Sequence, residues 1–154
     1  MLTAVESDFY RRKSFDFLRE NEEFVKLELT QAAQKLAEEA QLLIRVKDKR
    51  KKRKPPCVLV TRTSGSGWGP QVVWIRYSTK TFKFSNGDQK RLTQVIPRGQ
   101  SLRYPNAIFK GYEPELRLEL QKIEERAAAI RRDIRFWSEV FRTAKKADEQ
   151  GIAR

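Results

Sequence analysis

Apolar residues recur on one helical face through the last third of the chain. From Leu116 they fall at Leu120, Ile123, Ala127, Ile130, Ile134, Trp137, Phe141 and Ala144, with steps that alternate four and three over four heptads. That spacing predicts a long helix over 114–148 with one seam for another helix. Pro114 suits its first turn, where a missing N–H is tolerated, and Gly151 stops the pattern. The first third repeats the pattern more loosely. Phe15, Leu18, Val25, Leu29, Ala32, Leu36, Leu43 and Val46 keep one register, while Glu22 and Glu39 break it and Ala40 partly fills the second gap. This predicts a helix over 8–47, roughly 60 Å long if straight. Thr3–Glu6, "TAVE", has capping-box spacing just upstream.

Between the helices the period changes to that of β structure. "CVLVTRT" (57–63) is a short β-branched run, and "SGSGWGP" (64–70) is a turn or flexible loop. "QVVWIRY" (71–77) and "TFKF" (81–84) read as a hairpin joined at "STK". "SNGDQK" (85–90) is a further turn built on Asn86-Gly87, and "LTQVI" (92–96) a further strand. The predicted fold is α+β in one domain. It is a long, coiled-coil-like antiparallel helical hairpin with a basic junction (47–56) and a β-rich insertion (57–112) at its tip. The seams equally allow each helix to meet a second copy of the chain, and the bulk of Trp137 and Phe141 suits a wider, dimeric bundle.

Charge changes this picture from scaffold to binding protein. The 154 residues carry a net charge of +13, and nearly all of the excess is local. Residues 47–112 hold 16 basic side chains against two acids, Asp48 and Asp88, whereas the helical segments on either side are close to balanced. Cations confined to one segment draw polyanions to that surface. The densest run is "KDKRKKRK", with Lys47, Lys49, Arg50, Lys51, Lys52, Arg53 and Lys54. One or two of these would serve a helix C-terminus; seven repel one another unless a polyanion binds them. Strand alternation groups Val73, Ile75 and Tyr77 on one face, and Val72, Trp74 and Arg76 on the other. If the first set is core, Trp74, Arg76 and Lys83 project outward, as base stacking and phosphate contact require; the alternative turns Trp74 into the core. Arg62, Lys80, Lys90, Arg91, Arg98, Arg103 and Lys110 continue the cations through the strands and loops. Of the whole set, Arg76, Lys83, Arg98 and Arg103 are the candidates for base edges.

Catalysis is disfavoured by what the chain lacks. It has no histidine, which removes Ser–His and Cys–His pairs and the usual zinc ligand sets. Cys57 reads as a small core residue in a strand, "GSGWGP" lacks the Gly-Lys-Ser/Thr ending of a phosphate loop, and the basic segment has too few carboxylates for a magnesium site. No cofactor is implied. No apolar run approaches a membrane span, and the N-terminus lacks the apolar stretch of a signal peptide, so the chain reads as a soluble cytoplasmic protein.

The order of a long helix, the "KRKKRKPP" junction, the "GWGPQVVWIRY" strand and the "RRDIRFWSEVF" helix resembles the MobI-type auxiliary proteins of conjugative plasmids and integrative elements. The resemblance implies a small non-catalytic factor that binds double-stranded DNA at an origin of transfer and assists a separate relaxase. It carries over no individual residue. Two other readings remain open from the residues alone: a coiled-coil interaction module whose basic tip docks an acidic protein, and an RNA-binding protein using the same aromatics and cations.

Overall fold

The computed structural model describes residues 3–50, 54–63, 65 and 67–152, without the side chains of 7–11, 14, 15, 79–82, 90, 91, 151 and 152. Helix α1 spans Ala4–Lys47. It begins earlier than its apolar period does, because Thr3 and Glu6 form a capping box. The Glu6 amide donates to Thr3 Oγ1 (3.2 Å) and the Thr3 amide to Glu6 Oε2 (2.8 Å), which satisfies two otherwise orphaned donors. The helix stops at Asp48, whose backbone is extended while its amide still reaches the Ile44 carbonyl. Helix α2 spans Pro114–Ala147, with the proline in its first turn.

Three strands form an antiparallel sheet in the order β1 (Val58–Thr63), β2 (Pro70–Lys83), β3 (Gln89–Val95). The break expected at "STK" is absent. β2 runs through it as one strand, with an irregularity in its pairing to β3 between Tyr77 and Thr81. The β2–β3 turn lies at Phe84–Asp88 instead. Gly87 adopts φ +91° there, a conformation only glycine takes without strain, and its amide donates to the Phe84 carbonyl (3.0 Å). Extra residues in one strand let the Ser78–Thr79–Lys80 segment stay paired at both ends without turning.

Contacts between the helices run in opposite order along the two sequences. Arg19 pairs with Asp148 (2.8 Å), Arg126 with Glu39 (2.7 Å) and Lys47 with Glu119 (2.6 Å). Exposed pairs of this kind add little stability. Burial carries the packing. On α2 the buried seam includes Leu116, Leu120, Ile123, Ala127, Phe141 and Ala144, as the period predicts, widened by Glu124, Ala128 and Arg131. Among the described side chains of α1 the buried residues are Ala33, Leu36, Ala37, Ala40 and Ile44. Here the expected register is corrected, since Ala32 and Val46 are exposed. Each helix packs against the sheet as well as its partner, so the buried stripe is wide, and alanines let the backbones approach.

The insertion is not at the tip of the helices, and this part of the expected architecture is also corrected. It folds back along them. Gln41 Nε2 donates to the Leu59 carbonyl (2.9 Å). Trp68 Nε1 donates to Glu22 Oε1 (3.0 Å), and its ring stacks on Phe141 at 5.6 Å. Glu22 lies 25 residues from the end of α1, or about 38 Å along the helix axis. The core therefore sits between the helix pair and one sheet face, and includes Cys57, Leu59, Val72, Trp74, Ile96, Tyr104 and Phe109.

Cys57 is fully buried, its thiol facing the Ile108 carbonyl at 3.6 Å, and burial pushes its pKa up to about 12. An acid whose pKa is raised by folding supports the fold below its unfolded value of about 8.5 and withdraws that support as pH climbs towards the folded one. Native protein at mildly alkaline pH is expected to resist a disulfide-exchange reagent and to react fully once denatured. Rapid labelling of the folded chain, followed by absorbance of the released thiolate, would contradict this packing.

Candidate nucleic-acid interface

β1 pairs with β2 only from Pro70 to Ile75. Beyond Ile75 the sheet narrows to two strands, β2 and β3, which pair through Lys83 and Gln89. Among the described residues β3 packs on β2 and on neither helix. The two-stranded ribbon, residues 76–94, extends about 25 Å past β1 at some 3.3 Å per residue. Its described side chains from Lys83 to Gln89 and from Leu92 to Gln94 are exposed, Phe84 and Leu92 included. Across this span the sequence places Arg76, Lys80, Lys83, Lys90 and Arg91 against a single acid, Asp88. Asp88 is held in the turn, where its amide and carboxylate both bond Asn86. In register, Lys83 lies opposite Gln89, Thr81 opposite Arg91, and Arg76 opposite Gln94. Arg76 and Lys83 are exposed and form no ion pair with a described carboxylate; the side chains of Lys80, Lys90 and Arg91 lie outside the described residues.

Trp74 is not part of this surface. It is fully buried, donates from Nε1 to Glu124 Oε1 (2.9 Å) and meets Phe109 edge-on at 4.8 Å. The expected outward stacking role is corrected accordingly. The strand parity itself is inverted: Val72 and Trp74 face the helices, while Val73, Ile75 and Tyr77 are half-exposed on the outer face. A buried carboxylate on α2 supplies the acceptor that a buried indole N–H needs, and this decides which face turns inward. Arg76 shares the parity of Trp74 but lies beyond the part of β2 that β1 pairs.

The 47–54 run also differs from a free, self-repelling cluster. Lys47 pairs with Glu119, and Lys49 approaches Glu113 at 4.0 Å. Arg50 forks onto Asp48 through Nε (3.0 Å) and Nη2 (2.8 Å) and lies over the Tyr112 ring. The pairing raises the Arg50 pKa and depresses that of Asp48. Helix-end carboxylates thus already answer the described cations at the start of the run. Lys54 places its ammonium over the Tyr77 ring at 5.0 Å, beside the outer sheet face. Lys51, Lys52 and Arg53 lie outside the described residues. Arg62 is exposed at the end of β1. Arg103 bonds Asn106 and approaches Glu125 at 3.5 Å, and Arg98 is half-buried in the loop after β3.

A buried ion pair that the sequence reading passed over fixes this arrangement. Glu124 and Arg131, seven residues apart on α2, meet with both oxygens and both terminal nitrogens engaged, at 2.7 and 2.9 Å. Glu124 also accepts from Trp74 Nε1 and from the Tyr104 amide (2.6 Å). Arg131 also donates to the carbonyls of Val72 and Leu102, each at 2.8 Å. The network ties α2 to β2 and to the loop after β3, at the root of the ribbon. Its only trace in the sequence is opposite charge at one-heptad spacing beside an apolar seam.

The assembly defines a small α+β protein in which balanced helices support a basic sheet and ribbon. A family model described as "MobI protein" matches residues 29–145, and the chain belongs to that family. Membership suggests an accessory protein of conjugative mobilisation. The matched span takes in the sheet, the ribbon and the Glu124–Arg131 pair. No curated protein and no solved structure matches the chain. Among the described residues no helix is long and apolar enough to cross a membrane.

Proposed function

We propose that this protein is a non-catalytic, DNA-binding accessory factor that occupies a transfer-origin-like site and assists a separate relaxase. The observation that carries the reading is the two-stranded ribbon, whose described side chains past Ser78 are exposed and whose sequence holds five cations against one acid. A two-stranded β ribbon fits the major groove of B-form DNA, whereas the A-form groove of duplex RNA is too narrow and deep to admit side chains. Arg76 and Lys83 are the ribbon's candidates for base edges, with Arg103 at its root. Lys51, Lys52, Arg53 and Arg62 would add phosphate contacts on the flanks. The two helices would act as arms of a coiled-coil-like hairpin, and a homodimer would present two ribbons to two half-sites.

Reversing Lys51, Lys52 and Arg53 together to Glu is expected to weaken duplex binding at least tenfold at moderate salt and to leave helicity unchanged. Fluorescence anisotropy and far-ultraviolet circular dichroism read the two quantities. Site preference is tested by comparing an origin-of-transfer duplex with a shuffled duplex of equal composition. A preference that persists as salt rises supports base readout; equal binding throughout removes the origin-recognition part of the proposal.

A further inference from the structure

A cavity of about 650 Å³ opens between α2, the beginning of β2 and the loop after β3. That size lies within the range of small-ligand sites, roughly 300–1,000 Å³. Its walls mix polar and apolar surface, with Leu102 and Ile134 half-buried on the apolar side, and three arginines but no carboxylate line it. Arg131 at the back is already neutralised by Glu124. Arg135 stands at the rim, mostly exposed, with Glu139 3.8 Å away. Arg98 is the unusual member. It is half-buried, it bonds the Ser101 carbonyl of its own loop, and no described carboxylate lies within ion-pair reach. Burial, and then the nearby Arg131 charge, push its pKa below arginine's ordinary range. A half-buried guanidinium beside another cation is stabilised by an anion, and the apolar side of the cavity, Leu102 and Ile134, suits an anion with a hydrophobic body.

We propose that this cavity receives one nucleoside monophosphate unit, its base against Leu102 and Ile134 and its phosphate on Arg98 and Arg135. The unit has two possible sources, a free nucleotide or one nucleotide unstacked from bound DNA. The second source rests on the DNA-binding reading above, since the cavity opens beside the root of the ribbon. Unstacking one base costs a few kcal/mol, which such a receptor would offset.

Two measurements separate the sources. Titration calorimetry with deoxynucleoside monophosphates and with inorganic phosphate uses the protein without DNA. Fluorescence of a duplex carrying 2-aminopurine, a base analogue that brightens when unstacked, uses the complex. The expected result is nucleotide binding at least tenfold tighter than phosphate, weakened on the order of tenfold in Arg98→Gln, as loss of a charge-assisted bond implies. Arg135→Gln, at an exposed rim position, provides a second variant with an unaltered fold. A rise in 2-aminopurine fluorescence that Arg98→Gln abolishes assigns the unit to the strand. Nucleotide binding without any duplex binding supports the cavity with a free ligand and overturns the DNA-binding reading. Duplex binding with neither nucleotide binding nor brightening overturns the cavity proposal and leaves the DNA-binding reading intact. Phosphate binding as tight as nucleotide also overturns it, because Leu102 and Ile134 would then contribute nothing.

Discussion

Arg131→Ala is expected to lower the free energy of unfolding by about 3–5 kcal/mol. The substitution leaves Glu124, with no exposed surface, as a buried carboxylate that keeps only the Trp74 and Tyr104 donors. It also strands the Val72 and Leu102 carbonyls that Arg131 serves. Against a total stability of roughly 5–15 kcal/mol for a domain, that loss is severe. The cost comes from orphaning a partner, not from the net worth of the pair, since desolvation consumes most of the Coulombic gain. The double variant Glu124→Gln with Arg131→Met is therefore expected to be more stable than Arg131→Ala alone. Glutamine keeps a carbonyl for the Trp74 N–H, and methionine fills volume without charge. Urea unfolding followed by tryptophan fluorescence measures both. A single variant within 1 kcal/mol of the parent would show that this network does not hold the sheet to α2.

The second large effect concerns binding. Replacing Lys80, Lys83, Lys90 and Arg91 together by Glu is expected to reduce duplex affinity by about 100-fold or more at moderate salt. Each lost phosphate contact also flattens the dependence of log K on log salt by about 0.9, so four should flatten it by between 3 and 4 if all are engaged. Stability should change little, because the ribbon's described side chains past Ser78 are exposed and, among the described residues, β3 packs on neither helix. That separation distinguishes the ribbon from the Glu124–Arg131 network: one set of substitutions changes affinity at constant stability, and the other changes stability first. Unaltered affinity in the quadruple variant would move the DNA contacts away from the ribbon.

The parts of the fold that were legible in the sequence are those set by local rules. The unbroken four-three spacing from Leu116 to Ala144 located α2 and most of its buried face, and Asn86-Gly87 located the β2–β3 turn. The parts that were not legible depend on a partner element. The buried face of α1 is chosen by a sheet and a helix together, so Ala33 rather than Ala32 turns inward. Trp74 faces inward because Glu124, fifty residues away, offers its indole an acceptor. "STK" reads as a turn by composition, but strand pairing on both sides keeps it extended. The binding site divides the same way. Segmental charge identified the basic insertion, while pairing of Lys47 and Arg50 with Glu119 and Asp48 depends on contacts that the charge count does not contain.

The most direct test of DNA binding by the ribbon is fluorescence anisotropy of labelled duplex DNA, single-stranded DNA and RNA of equal length, each titrated over a salt series. Tightest binding to the duplex is expected. With about six phosphates engaged, log K should fall against log salt with a slope near −5. Absence of binding to all three at low salt would contradict nucleic-acid recognition and assign the basic sheet to an acidic protein partner.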